Sequence, residues 1–502
     1  MSGFPTLVGN LLQTAARVPQ ATAIQDGAAT VTYEQLLQQA GTIARELRAQ
    51  GLQDGERVVL IMQNSAEFAA AYYAVLMAGG VAVLLNAAAK LRDFEAWLAN
   101  CEASFVLTDA DNDEATLAAR ASVAAARHWR STGNPRSPFG LTLSAEHAPP
   151  RAVDEHAPAC ILYTSGTTGQ PKGVVLSQAN LASNAAAIVQ YLGLTGDDSI
   201  VTVLPFYYSY GSSVLHTHVQ VGARLVLEKN LVYPHIVVAS IARERATGFA
   251  GVPSTFALLL SRVKLADHDL AAMRYVTQAG GAMSPALTQK LREALPGAAV
   301  FVMYGQTEAT ARLTYLPPHM LDRKLGSVGR AIAGVDIEVR GENGAVLDTG
   351  GVGSIWVRGP NVMLGYWCND VATAAVKHDG WLNTGDMGSL DADGYLYLSG
   401  RRSDMIKTGA HRVHPQDIED VIAELPQVQE IAVAGVDDER LGQAIKAFIV
   451  PVPGASLSPM QVQAHCRQRL AAYKIPKFVE MVDSLPRTMT GKLRRAELKQ
   501  RK

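Results

Sequence analysis

The sequence predicts an α/β protein with a large N-terminal domain of layered α/β subdomains, a β-rich subdomain, and a small α+β domain at the C-terminus. Three observations carry that reading. Short apolar runs alternate with helix-patterned segments through most of the chain. Turn-forming residues crowd between Gly326 and Gly400. The rhythm changes again beyond Arg401.

The runs at 57–62 (RVVLIM), 81–85, 105–108, 161–164 and 200–204 read as buried strands, with helices between them at 65–77 and 181–191. The stretch FAAAYYAVLMAGGVAVLL, 68–85, reaches about the minimum for a membrane span. Gly79-Gly80 divides it into an Ala-rich half and a Val-rich half, which predicts a buried helix–turn–strand instead. In the β-rich part, Glu342-Asn343-Gly344 and Asp391 to Gly394 read as hairpin turns. After the boundary at 401–404, Pro415 opens a helix to Leu425, with Asp417 and Glu419 in its first turn. Strands follow at 430–436 and 444–450, and Pro459 opens a helix to about Ala472.

At 502 residues the chain is too long for one core. A net charge of -1 gives no electrostatic reason to bind nucleic acid or an acidic membrane. Cys101, Cys160, Cys368 and Cys466 stand far apart with no CxxC pair, which argues against a zinc site or a disulfide framework and for reduced thiols in the cytoplasm. The opening residues lack the basic-then-apolar pattern of a secretory signal.

The most informative segment is 159–173, ACILYTSGTTGQPKG. A strand runs into a loop carrying Thr164, Ser165, Gly166, Thr167, Thr168, Gly169 and Lys172. Glycines let successive N–H groups converge on an anion, hydroxyls add donors, and lysine adds a compact positive charge. It is not the GxxxxGK[ST] loop, because Lys172 sits between Pro171 and Gly173. Composition alone would favour a mobile surface turn.

The full string Tyr163–Gly173 resembles the signature of the adenylate-forming superfamily of AMP-dependent acid–thiol ligases, acyl-CoA synthetases among them. Further motifs match in order. YGQTEAT, 304–310, resembles the second signature, implying that Tyr304 packs on adenine, Gly305 is among the ATP- and AMP-binding residues, Thr307 contacts the α-phosphate and Glu308 holds Mg²⁺. Gly280-Gly281-Ala282 resembles a turn lining adenine and acid. WLNTGD, 381–386, resembles the ribose motif, with Asp386 on the ribose hydroxyls and Arg401 on ribose or phosphate; a plain Asp386–Arg401 ion pair is the alternative. GRRSDMIKTGAHRVHPQDIE, from Gly400, resembles the hinge and the loop that follows it. It implies a mobile C-terminal domain, 405–502, pivoting at 401–404 with Ser403 where the family usually has Asp or Lys. It also implies passage of the thiol arm beside Gly409. PRTMTGKLRR resembles the last signature, with Lys492 bridging the acid and the α-phosphate.

The resemblance implies ATP, Mg²⁺ and coenzyme A as cosubstrates, a small-molecule carboxylic acid, fatty or aryl, and an acyl-AMP intermediate. An acyl carrier protein's phosphopantetheine thiol is the alternative acceptor, and a nucleotide-binding regulator without turnover is a reading from another class. In LPFYYSYG, 204–211, Tyr208 stands where the family usually has His. Gly211 stands where peptide-synthetase domains place an Asp for the α-amine. The acid pocket is therefore expected around Tyr207, Tyr208, Gly211 and Gly280, with small Ser212 and Ser213 leaving room and Tyr210, Val252, Pro253 and Phe256 as further walls.

Overall fold

The computed structural model describes residues 6–499 except 124–125, 145–148, 153, 165–171, 230, 402–403, 410, 439 and 488–492. The described residues form four sheets. The largest has nine strands, and six of them run parallel as neighbours in the order 299–304, 275–278, 248–251, 199–202, 224–227 and 22–26. A seven-stranded sheet holds Arg57–Ile61, Val81–Leu84, Ala103–Thr108 and Pro158–Thr164, with Lys172–Ser177 antiparallel and Gly365–Tyr366 at its edge. The third sheet is antiparallel and contains Asp336–Arg340, Gly353–Arg358, Trp381–Leu390 and Leu396–Arg401.

The expected alternation of buried strands and helices is present, with boundaries moved by a few residues. Helix Ala66–Met77 is buried on every side and capped by Ser65, whose hydroxyl accepts from Phe68 N. Gly79, at φ +80°, turns the chain into strand Val81–Leu84, as the paired glycines predict. No helix among the described residues is long and apolar enough to cross a membrane. Helix Gln178–Leu192 starts at a capping box in which Ser177 and Asn180 satisfy each other's backbone N–H. Both expected hairpin turns form, around Gly344 at φ +80° and Gly394 at φ +77°.

The fourth sheet is built wholly from Ile406 onward. Long strands Val428–Asp438 and Gly442–Pro451 pair antiparallel, and Phe478–Met481 adds in parallel. Helices Pro415–Ile422 and Pro459–Arg469 cover it. Ile406, Ile418, Ile422, Val433, Ile449 and Val462 give this unit its own core. Proline at the first helical turn and Asp417 beside it explain the start of Pro415–Ile422.

Candidate functional site

Open parallel sheets bind ligands beyond the carboxyl ends of their strands. Four such ends lie side by side here. Strand Ala299–Tyr304 leads to Gly305, Thr307 and Glu308; Tyr275–Gln278 leads to Gly280–Ala282; Gly248–Gly251 leads to Val252; Ser199–Thr202 leads to Tyr207–Ser209. Three strand spacings separate the first from the last, about 14 Å. Gln278 Oε1 and Gln306 Nε2, both at this edge, are buried without a partner among the described residues. Buried polar atoms of that kind are satisfied by a ligand or water.

Hydrogen bonds tie this edge to two of the other sheets. Tyr304 donates to Asp386 Oδ2 at 2.6 Å, and Arg401 Nε lies 3.3 Å from Asp386 Oδ1. Burial, with the Asp386 charge next, holds the Tyr304 phenol well above its ordinary pKa, so it remains a donor. Burial works against the Arg401 charge, but Asp386, Asp404 and Glu308 outweigh it and raise the guanidinium pKa. The Asp386–Arg401 ion pair expected as the alternative reading is present. Thr384, which sequence reading passed over, accepts from Asp386 N at 3.1 Å and donates to Ile355 O, fixing the carboxylate's backbone.

Toward the seven-stranded sheet, Tyr366 donates to Glu308 Oε1 at 3.0 Å, and Lys172 Nζ sits 5.0 Å from the centre of the Tyr366 ring. Lys172 opens a strand and pairs with Thr164, so these two residues flank positions 165–171. Ser165, Gly166, Thr167, Thr168 and Gly169 lie outside the described residues, as do Ser403 and Lys492. Gly305 is demanded by close packing: a Cβ there would stand 2.0 Å from Ala311 O. Gly280, at φ +84°, makes the turn after its strand, and Gly281 and Ala282 are exposed beyond it.

The acid side is more mixed. Tyr207 and Tyr208 are half-buried, their rings 4.6 Å apart, and Tyr208 occupies the N-cap of helix Ser209–Val221 without a side-chain cap bond. Its hydroxyl has no partner among the described residues, and burial pushes its pKa up to about 12. Ser209, not anticipated, lies 3.2 Å from the Thr307 hydroxyl and links this segment to the Thr307–Glu308 turn. Asn64 clamps the same segment by bonding Leu204 O and Phe206 N.

Three expected pocket residues also meet packing demands. Gly211 is small because a Cβ would stand 2.0 Å from Pro205 O. Tyr210 turns into the core, donating to Thr277 beneath the buried Arg312 guanidinium at 4.1 Å from its ring. Phe256 packs on Phe249 in a separate apolar cluster. The apolar pattern that suggested a pocket wall is equally the pattern of core.

In the C-terminal unit, Gly409 has φ +58° and its N–H donates to Leu441 O. Half-buried Arg495, just after the TGK motif, pairs with Glu419 and lies 3.6 Å from Asp404. It therefore anchors the segment following Lys492 to the boundary region.

The chain matches the AMP-binding enzyme family over residues 11–367 and that family's C-terminal domain over 417–492. It belongs to the AMP-binding enzyme family. Among relatives, the feruloyl-CoA synthase of Amycolatopsis sp is 32% identical over 485 residues, covering 96% of each chain. The long-chain-fatty-acid–CoA ligase of Bacillus subtilis is 30% identical over 529 residues, covering 98% of this chain and 94% of the relative. Among solved structures, an anthranilate CoA ligase in complex with anthranoyl-AMP superposes with a TM-score of 0.90 at 27% identity, covering 99% and 97%. This member of the family is an AMP-forming acid–CoA ligase: it activates a carboxylic acid as the acyl-AMP, then transfers the acyl group to coenzyme A. The relatives are CoA ligases and do not favour the carrier-protein acceptor.

Proposed function

We propose that this ligase takes a bulky, largely apolar acid, aryl or fatty, seated against Tyr207 and Tyr208, and that it works in the cytoplasm. The observation that carries the site assignment is the linkage Lys172–Tyr366–Glu308 and Tyr304–Asp386–Arg401, which draws four sequence motifs from three sheets around one nucleotide-sized region. Asp386 takes the ribose hydroxyls, Tyr304 borders adenine, and Thr307 meets the α-phosphate. The loop 164–172 cradles the outer phosphates.

The residues fit a magnesium ion brought by ATP. Glu308 Oε1 is engaged by Tyr366, while Oε2 has no partner among the described residues. No cluster of three or more His, Cys, Asp or Glu able to hold a metal occurs among them. A hard cation with one carboxylate and otherwise phosphate and water ligands suits that arrangement. Bound there, it neutralises phosphate charge.

The chain's own work is positioning and charge compensation. The substrate carboxylate attacks the α-phosphorus and pyrophosphate leaves; Lys172 and Lys492 offset the charge that builds up. Tyr208 supplies a neutral hydroxyl donor near the acid where a histidine would supply a titrating ring. The small domain then turns about 401–404, withdrawing Lys492 and presenting Gly409 beside the thiol arm. The thiol attacks the acyl carbonyl and AMP departs.

Exchange of labelled pyrophosphate into ATP, run over a panel of aryl, fatty and short-chain acids, tests the substrate class. Selective stimulation by aryl or long-chain acids is expected. Stimulation confined to short, charged acids would overturn the apolar pocket.

A further inference from the structure

We infer that Tyr366 is a positioning residue for activation: it aims the Glu308 carboxylate and braces Lys172, so one side chain sets both the metal-facing and the phosphate-facing groups. This rests on the reading of Glu308 and Lys172 given above.

Tyr366 lies far from both residues in sequence, and its own surroundings hold it in place. The Gly365–Tyr366 strand pairs with Val175 and Val174, just past the phosphate loop. Tyr366 N donates to Thr373 Oγ1 at 2.8 Å, and Trp367 N donates to Gly173 O at 2.7 Å. Gly365 packs closely on Thr373, since a Cβ would stand 2.9 Å from Thr373 Cγ2. With its backbone held this way, the buried ring has little freedom.

The same segment grips Glu308 twice. Met363 N donates to the Glu308 carbonyl at 2.9 Å, and the Tyr366 hydroxyl donates to Oε1 at 3.0 Å. A carboxylate held through backbone and one oxygen presents the other in a set direction. On the opposite side the ring faces the Lys172 ammonium, a contact that favours the cation near the aromatic face. Tyr366 therefore couples the base of the phosphate loop to the Glu308 turn, and through them the seven-stranded sheet to the nine-stranded one.

Tyr366→Phe keeps the ring under Lys172 and deletes the hydroxyl. Losing one hydrogen bond to a charged acceptor should raise the Mg²⁺ concentration for half-maximal pyrophosphate exchange about tenfold. Acid KM and melting temperature should stay near wild type. Calorimetric titration with α,β-methylene-ATP, at low and high Mg²⁺, gives a readout apart from turnover: weaker binding only at low Mg²⁺ is expected. In a Glu308→Gln background, Tyr366→Phe should add almost nothing, whereas a merely structural tyrosine would add its full effect. An unchanged Mg²⁺ dependence in Tyr366→Phe, with Glu308→Gln strongly shifted, overturns the role of Tyr366 alone. An unchanged dependence in Glu308→Gln overturns the Glu308 reading and this inference with it.

Discussion

Tyr304→Phe separates two roles that one side chain carries. The ring, proposed to border adenine, is kept; the hydroxyl that reaches Asp386 is lost. Both residues are 8% exposed, and the bond is 2.6 Å long. A hydrogen bond to an ionised acceptor contributes about 1.5–3 kcal/mol net. Asp386 keeps Arg401 at 3.3 Å and its backbone tie to Thr384, so the carboxylate stays in place but is held less firmly. If the whole loss falls on ribose recognition, nucleotide affinity drops by about 10- to 150-fold, at about 1.4 kcal/mol per decade. The lower end is expected because Arg401 remains. Fluorescence titration with AMP, beside ATP–pyrophosphate exchange, would show a raised KM for ATP and little change in thioester formation from supplied acyl-AMP. An AMP affinity within about twofold of wild type in a folded variant would refute the coupling of hydroxyl, carboxylate and ribose.

Other outcomes follow from particular contacts. Lys492→Ala should abolish acid adenylation while leaving thioester formation from supplied acyl-AMP intact; equal loss of both half-reactions in a folded protein contradicts the domain rotation. Gly305→Ala forces a Cβ to 2.0 Å from Ala311 O, so exchange should fall by orders of magnitude and hydrogen exchange should rise locally around 305–312. Asp420 sits in the small domain with its pKa raised to about 6 by burial first, with Glu419 and Asp417 adding and a bond from Gln416 opposing. The native state therefore binds its proton more tightly than the unfolded chain, and ionisation costs stability as pH rises from about 4 to 6. Asp420→Asn, which keeps the Gln416 bond, should stabilise the small domain by about 1–3 kcal/mol above pH 6 and by nothing below about pH 4. Urea melts at pH 7.5 and pH 4 check the sign; a constant offset at both would discount the titration.

Much of the fold was legible because period and punctuation carry it. Gly79-Gly80 split an apolar run into helix and strand, and Pro415 and Pro459 marked two helix starts. The strand Lys172–Ser177 went unread, since VVL between a lysine and a serine is too short to distinguish from a loop end. Candidate site residues Thr164, Lys172, Tyr304, Thr307, Glu308, Asp386 and Arg401 were legible as motifs. Tyr366 was not: a tyrosine after a glycine in an ordinary strand has no local pattern marking it out, and its importance arises from what it meets across a sheet junction.

The sequence by itself determined the chemistry, because activating a carboxylate with ATP requires phosphate-binding, ribose-binding and cationic groups in recognisable local strings. It also determined the alternation of buried strands and helices, because burial of a strand or one helix face is written in residue spacing. What only the tertiary structure decided is which residues hold those groups in place. Only the fold packs Gly211 against Pro205 O and bonds Tyr210 to Thr277, demands that a small or an aromatic residue meets as readily as those of a pocket. The hydroxyls of Tyr304 and Tyr366 acquired their partners, 82 and 58 residues away, only when three sheets met. Short-range patterns encode which groups are present; the distances between those groups are set by packing, which no local string contains.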